Sequence, residues 1–297
     1  MSTAIRVLQG QFGRVALLNM DRPLVTHAHS QCHVLIKISG TNTFFSVRDK
    51  RYPLNDHTAV LVNTWEPHAY THHNPNAPHT LILALYIEPL WLGEIENSLI
   101  SSRHPGFFPN TCVEIAKPIR TLSNSLAMQM LYGERFSDAY LQTQLSNLMI
   151  LVIDEFSQWR NFDHWTTGSL SQAQDFRIRR AIAFMRANVG AEIDMDRLAA
   201  EACLSRAHFF KLFRQHTNLT PNLYSNILRV EAAIHCLTHS QDSMTNLSNT
   251  LGFSAQSHFT RFFQQHTGIV PSQYRKVVDL YRDAELPRPC SEDFHAV

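Results

Sequence analysis

Cysteine is scarce and unorganised in this 297-residue sequence: Cys32, Cys112, Cys203, Cys236 and Cys290 are odd in number, scattered and never paired as Cys-x-x-Cys. That excludes a disulfide framework and a zinc ribbon, and makes a reducing cytoplasm the expected setting. Long apolar runs are missing too. The longest, residues 81–87 and 148–153, fall far short of the roughly 20 residues that span a bilayer, so no membrane partner is expected. Residues 1–10 lack the charged head and apolar stretch of a secretory signal, and no export is expected. Charge excess is absent as well, with 26 Lys and Arg against 25 Asp and Glu, a net charge of +1. Taken as an average, that balance argues against a nucleic-acid partner, because phosphate contacts need clustered Lys and Arg. A hydrophobic content of 44% excludes disorder and a coiled-coil rod, and the length calls for two domains or one with a large appendage.

What is present changes texture along the chain. Over about the first ninety residues, β-rich runs at 12–18, 33–38, 58–62 and 80–87 alternate with turn signals at Ser39-Gly40, Asn55-Asp56 and 72–79, the pattern of an all-β sandwich or small barrel. From Lys117 the periodicity turns helical: Leu141, Leu145, Leu148 and Val152 recur at spacings of four, three and four, after a helix predicted over 118–132. The seam of these two antiparallel helices either packs on the chain's own core or pairs two protomers. Residues 160–174 are polar and non-periodic, a linker, and from 176 to about 278 every periodic segment is helical. Residues 1–175 carry 12 basic and 14 acidic side chains, 176–278 carry 12 and 6, and 279–297 carry 2 and 5. The basic excess therefore lies in one helical third.

That third contains an internal repeat. Residues 205–224 read SRAHFFKLFRQHTNLTPNLY and residues 255–274 read AQSHFTRFFQQHTGIVPSQY. At an offset of fifty, His208, Phe209, Phe213, Gln215, His216, Thr217, Pro221 and Tyr224 recur as His258, Phe259, Phe263, Gln265, His266, Thr267, Pro271 and Tyr274. Two copies of one structural unit follow. Each is preceded by a short helical stretch, 198–203 and 247–252, and a turn; Gly252 supplies a positive φ, and Ser205 and Ser254 are expected as the N-caps that restart the chain. Helix, tight turn and capped second helix is the helix-turn-helix layout.

Helical spacing puts Phe209, Leu212, Phe213 and His216 on one face of the first second-helix, and Phe259, Phe262, Phe263 and His266 on the matching face of the other. The opposite faces present Arg206, Ala207, Phe210, Lys211 and Arg214, and Gln256, Ser257, Thr260, Arg261 and Gln264. Arg and Lys can chelate guanine, Gln can pair with adenine, and small or apolar groups can meet a thymine methyl, so these faces suit a major groove; a merely solvated face is the plainer alternative. Between the copies, Leu223, Ile227, Val230, Ile234 and Leu237 space out a helix opened by Pro221. It would fix two reading heads in successive major grooves, about 34 Å apart.

These residues resemble the AraC/XylS transcriptional regulators, whose DNA-binding domain is two helix-turn-helix units joined by a central helix. Leu251-Gly252-Phe253, Ser257-His258-Phe259, Arg261-Phe262-Phe263, Gly268, Pro271-Ser272 and Tyr274-Arg275 match the family's closing signature, and Ser205, Phe209, Phe213, Pro221, Tyr224, Arg229 and Ala232 fit its first unit. Asn218-Leu219 replaces a usual glycine, and Ser248-Asn249 a usual Ile-Ala pair; both departures bear on local helix packing. The resemblance implies base contacts from Arg206, Ala207, Phe210 and Lys211, then Gln256, Ser257, Thr260 and Arg261.

Nine of the 17 histidines lie in residues 1–104. His27 and His29, two apart, would point to the same face of a strand. The segment also resembles the first cupin motif through His27, His29, His33 and Gly40, with His68 where the second motif keeps its histidine. Yet His33 replaces a glutamate, and the second motif's glycines and proline are absent at Trp65, Asn63 and His57. Three readings stand. His27, His29 and His68, with His33, hold a divalent metal and either sense it or run enzyme chemistry at an open coordination position. Alternatively His27, His29, His33, Trp65 and His68 line an effector pocket, or the histidines are simply partnered polar groups at a barrel mouth. The AraC/XylS resemblance implies the effector pocket, usually without a metal, so no cofactor is expected. No Ser/His/Asp, Cys/His or paired-carboxylate arrangement marks an enzyme.

The expected chain is α+β: a cupin-like β-barrel with two following helices over residues 1–159 (helices about 118–158), a linker at 160–174, an all-α domain of two helix-turn-helix units at 175–280, and an acidic tail at 281–297. By resemblance it is a cytoplasmic transcription regulator and homodimer that binds double-stranded DNA and a small-molecule effector, with RNA polymerase a further partner if it activates. Its rivals are a metal-dependent cupin enzyme carrying a DNA-binding tail, and a ligand-independent regulator whose barrel only dimerises.

Overall fold

The structure is a computed structural model that describes residues 2–71, 78–95, 99, 102, 106–133, 138–157, 159, 175–191 and 193–280. The expected linker at 160–174 and tail at 281–297, with Cys290, lie outside the described residues. The N-terminal half runs β1 (Thr3–Gly10), β2 (Gly13–Met20), β3 (Cys32–Gly40), β4 (Thr43–Val47), β5 (Lys50–Leu54), β6 (Thr58–Val62), β7 (His68–Thr71), β8 (Thr80–Ile87), α1 (Pro89–Ile95), β9 (Cys112–Glu114), α2 (Lys117–Tyr132) and α3 (Asp138–Phe156). The C-terminal half runs α4 (Phe176–Ala187), α5 (Met195–Glu201), α6 (Arg206–Thr217), α7 (Pro221–His239), α8 (Met244–Thr250), α9 (Gln256–Thr267), α10 (Pro271–Val277) and β10 (Val278–Leu280).

A large sheet of order β10-β1-β2-β8-β3-β6-β9 accompanies a small one of order β5-β4-β7. The large sheet serves two cores, as the side-chain alternation of a strand allows. On β8, Leu83, Leu85 and Ile87 pack with α2 and α3, whereas Ile82 and Ala84 share a cluster with Phe45, Val47 and Tyr70 of the small sheet. The four runs expected from sequence are β2, β3, β6 and β8. Strand β1 breaks strict alternation because its register shifts between Ala4 and Arg6. Leu141, Leu145, Leu148 and Val152 of α3 are all buried in the chain's own core beside Ile119, Leu126 and Met130 of α2. The seam is therefore an internal one, not a surface offered to a second protomer.

The two helix-turn-helix units differ at their turns. Ser205 caps α6, its side chain accepting from the His208 amide. Ser254 is no cap. The second turn is one residue longer, so Ala255 takes the N-cap position of α9, and the Ser254 hydroxyl instead lies 2.9 Å from His258 Nδ1. Asn218 ends α6 at φ 58, the left-handed conformation that Gly268 adopts at φ 83 behind α9, so the missing glycine is met by a residue that tolerates it. Ser248 is buried with its hydroxyl donating to the Thr245 carbonyl at 2.9 Å, which leaves no unsatisfied group at the other departure.

The two halves are docked. Strand β10, in the stretch expected to end helical, pairs in parallel with β1 through Val7 and Val278, and Arg6 Nε donates to Asp279 at 2.9 Å. One hydrophobic cluster holds Ala16, Leu18 and Met20 of β2 together with Ala233 and Leu237 of α7 and Phe259 and Phe263 of α9. Among the described residues, no helix is long and apolar enough to cross a membrane.

Candidate functional site

Burial of Phe209 and Phe213 fixes the rotation of α6, and burial of Phe259 and Phe263 fixes that of α9. The opposite faces consequently look outward. Arg206, Ala207, Lys211, Arg214, Gln256, Ser257 and Arg261 are exposed, while Phe210 and Thr260 are half-buried. Two of these groups are held by polar partners within the chain: Arg206 pairs with Asp196 of α5 at 2.6 Å, and the Gln256 side-chain oxygen accepts from Thr245 of α8 at 2.9 Å. Both bonds are exposed and can be exchanged for a base edge or phosphate at little cost. Helix α7 joins the units, opened by Pro221 behind the N-cap Thr220, with Ile227 and Leu237 buried along it.

The barrel histidines converge, although not by the strand geometry expected. His27 and His29 lie between β2 and β3, and His27 makes only an isolated bridge to His68. His29, His33 and His68 offer ligand atoms within 4.8 Å of one another. His33 Nδ1 lies 3.2 Å from His29 Nε2 and 3.3 Å from His68 Nε2. Backbone carbonyls orient the rest: His29 Nδ1 donates to Gln31, His68 Nδ1 to Glu66 and His27 Nδ1 to Val25, at 3.0, 2.8 and 2.9 Å. The His27 ring stands beside that of His68, with centroids 4.3 Å apart. Burial is the main cause that holds His27, His29 and His33 well below the usual imidazole range and His68 at about 4, so all four are neutral near pH 7. Trp65 stands apart from them: it adopts φ 59 and stacks on Tyr224 of α7, with centroids 5.2 Å apart.

A cavity of about 580 Å³, within the range of small-molecule sites, opens over His27, His29 and Trp65, while His33 and His68 are not part of its lining. Arg14, His27, His29, Trp65 and Tyr86 line it from the barrel, and Ile227, Glu231, Ile234, His235, His266 and Tyr274 from the C-terminal half. Sequence reasoning passed over Arg14, Tyr86, Glu231 and Tyr274. The available signal was Arg14, a cation at the alternation that turns Ala16 and Leu18 inward on β2. It lies 3.8 Å over the Tyr86 ring, whose other neighbour across the sheet, His33, stacks at 4.1 Å. Arg14 Nε is buried without a hydrogen-bond partner. Across the cavity, Ser30 Oγ donates to Glu231 at 3.0 Å.

Family models match both halves: an AraC-like ligand binding domain over residues 22–149 and a helix-turn-helix domain over residues 198–277. The chain belongs to the AraC/XylS family of transcriptional regulators. It is similar to the HTH-type transcriptional activator RhaS of Escherichia coli O6:H1, 22% identical over 229 residues that make up 76% of this chain and 78% of that one. The RhaS of Escherichia fergusonii is 34% identical over 80 residues, 27% of this chain and 29% of that one, so there the chain spans under a third of its relative. An apo ToxT variant from Vibrio cholerae strain SCE256 shares the fold at a TM-score of 0.52 and 10% identity, over 94% of this chain and 97% of that one. This AraC/XylS regulator thus carries an N-terminal ligand-binding domain and a C-terminal DNA-binding domain, and its cavity is walled by both.

Proposed function

We propose that this regulator senses a small molecule in the cavity between its two domains, and that occupancy alters how α6 and α9 meet DNA. The observation that carries this reading is the shared wall. A ligand touching Arg14, His27 and His29 on one side and Glu231 and His235 on the other binds the docked arrangement differently from an undocked one, and only such a difference can shift the equilibrium. Arg14 supplies an anchor for an acceptor group on the effector. The two recognition helices read adjacent major grooves of double-stranded DNA through Arg206, Ala207, Phe210, Lys211 and Arg214, then Gln256, Ser257, Thr260 and Arg261. Regulation, not catalysis, is the role of the barrel, in the cytoplasm. With the α3 seam internal, Met128 and Tyr132 of α2 and Tyr140 and Ile150 of α3 are exposed apolar groups that offer a homodimer contact. RNA polymerase is a partner if the regulator activates.

Lys211→Ala and Arg261→Ala are each expected to weaken binding to a cognate site by about 1–3 kcal/mol while leaving the melting temperature unchanged. Unaltered, salt-insensitive binding by both variants would falsify the assigned faces. A metabolite screen by thermal shift, repeated with Arg14→Met, tests the cavity: a stabilising compound should lose its effect in the variant.

A further inference from the structure

We propose that His29, His33 and His68 bind a divalent transition metal ion at the barrel mouth, with a coordination position left open toward the interdomain cavity. Proton accounting carries the argument. A carbonyl oxygen only accepts, so His29 Nδ1 and His68 Nδ1 must hold the protons they donate to Gln31 and Glu66, and in the neutral rings both Nε2 atoms are bare lone pairs. Both lone pairs aim at the same atom, His33 Nδ1, from 3.2 and 3.3 Å. At most one proton is available among the three nitrogens, so it cannot serve two acceptors well, and if it resides on His33 Nε2 three lone pairs meet with nothing between them. All three rings are buried, with exposures of 8, 2 and 1%, and water does not relieve the conflict cheaply.

A cation satisfies all three at once. Metal–nitrogen bonds of about 2.0–2.1 Å at tetrahedral angles place ligating nitrogens about 3.3–3.4 Å apart, and the observed separations of 3.2 and 3.3 Å are close to two such edges, with the third pair within 4.8 Å. Carbonyl partners on the remote nitrogens of His29 and His68 are the outer contacts that fix tautomer and ring orientation in histidine metal sites. Three neutral imidazoles and no carboxylate suit Zn²⁺, Fe²⁺, Co²⁺, Ni²⁺ or Cu²⁺ rather than Mg²⁺ or Ca²⁺. Three ligands, not four, also fit a site that keeps a position for another molecule. Of the three ligands His29 lines the cavity, with His27 alongside, and the proposed open position on that side would admit an oxygen or nitrogen donor of the effector. Metal binding itself stands apart from the sensing function; only the use of the open position rests on it.

The test uses the full chain, purified without a metal-affinity tag, stripped with chelator and titrated with Co²⁺. One equivalent per chain is expected, with ligand-field absorption that Zn²⁺ abolishes by displacement. His29→Ala and His68→Ala should each lower Co²⁺ affinity at least about tenfold, the loss that even outer-sphere partners cause. His57→Ala, an exposed histidine outside both the triad and the cavity, should bind as the native chain does. Should a triad variant fail to fold, the electron paramagnetic spectrum of the Cu²⁺-loaded native chain decides, since it must show coupling to nitrogen ligands. No stoichiometric uptake by the native chain, uptake undiminished in folded triad variants, or a Cu²⁺ spectrum without nitrogen coupling overturns the site. Unaltered DNA binding by the Lys211 and Arg261 variants would sink the functional reading and leave the metal result untouched.

Discussion

At Gly252 the backbone turns with φ +75, and a Cβ there would stand 2.4 Å from the Gly190 carbonyl oxygen. Both the conformation and the close approach demand glycine, so Gly252→Ala is expected to destabilise the chain by more than about 2 kcal/mol in chemical denaturation. Cys203 occupies the same corner of the first unit at φ 55, which shows that the turn geometry, rather than the residue, is what the repeat preserves. The caps make a second residue-scale contrast. Ser205→Ala should cost about 1 kcal/mol through loss of the bond to the His208 amide, and Ser254→Ala should leave helix stability nearly unchanged. Ser254 looked like a cap because local sequence supports one; a single extra residue in the turn moved it off the position.

At the scale of elements, periodicity was a reliable guide wherever one face is apolar. It identified α3, α6, α7 and α9 and the faces of the two recognition helices, because Phe209, Phe213, Phe259 and Phe263 can be buried only one way round. It was silent on where a buried face docks. The α3 stripe fits a protomer seam and a core equally well until α2 and the large sheet are seen to cover it. Leu148→Ala is therefore expected to lower stability by about 2–5 kcal/mol, by the same amount at every protein concentration. A loss that grows on dilution would instead place the seam between two copies. Short strands were the harder case: β4 and β5 form a hairpin of five residues each, and β10 of three is defined only by its partner β1.

For the whole molecule, the docking of the halves is the property on which the proposed sensing depends. Burial raises the Glu231 carboxyl above its ordinary value of 4.5, nearby Glu88 adds to the rise, and Ser30 and Arg186 oppose it. The docked chain thus binds this proton more tightly than the unfolded one. Its contribution to stability is fully present below pH 4.5 and is lost as pH rises through the raised value. Glu231→Gln removes that loss, so the variant's melting temperature should gain on the native chain as pH rises through this window. A constant difference across it would show that the carboxyl is not buried at the interface.

Local order decided much of this protein in one dimension. The repeat, the capped turns, the buried phenylalanines and the basic third depend on contacts within a few turns of helix, and such contacts are written in spacing. The histidine triad, the cavity and the contact between domains depend on residues far apart in sequence: His33 meets His68, Trp65 meets Tyr224, and Ser30 meets Glu231. Spacing cannot encode these meetings. His27, first in the sequence motif, lies beside the triad, and His33, which stands where the cupin pattern has a glutamate, lies at its centre. Only the packing of the barrel and the seating of α7 across its mouth placed those side chains together, because buried polar groups take the partners that the fold brings within reach.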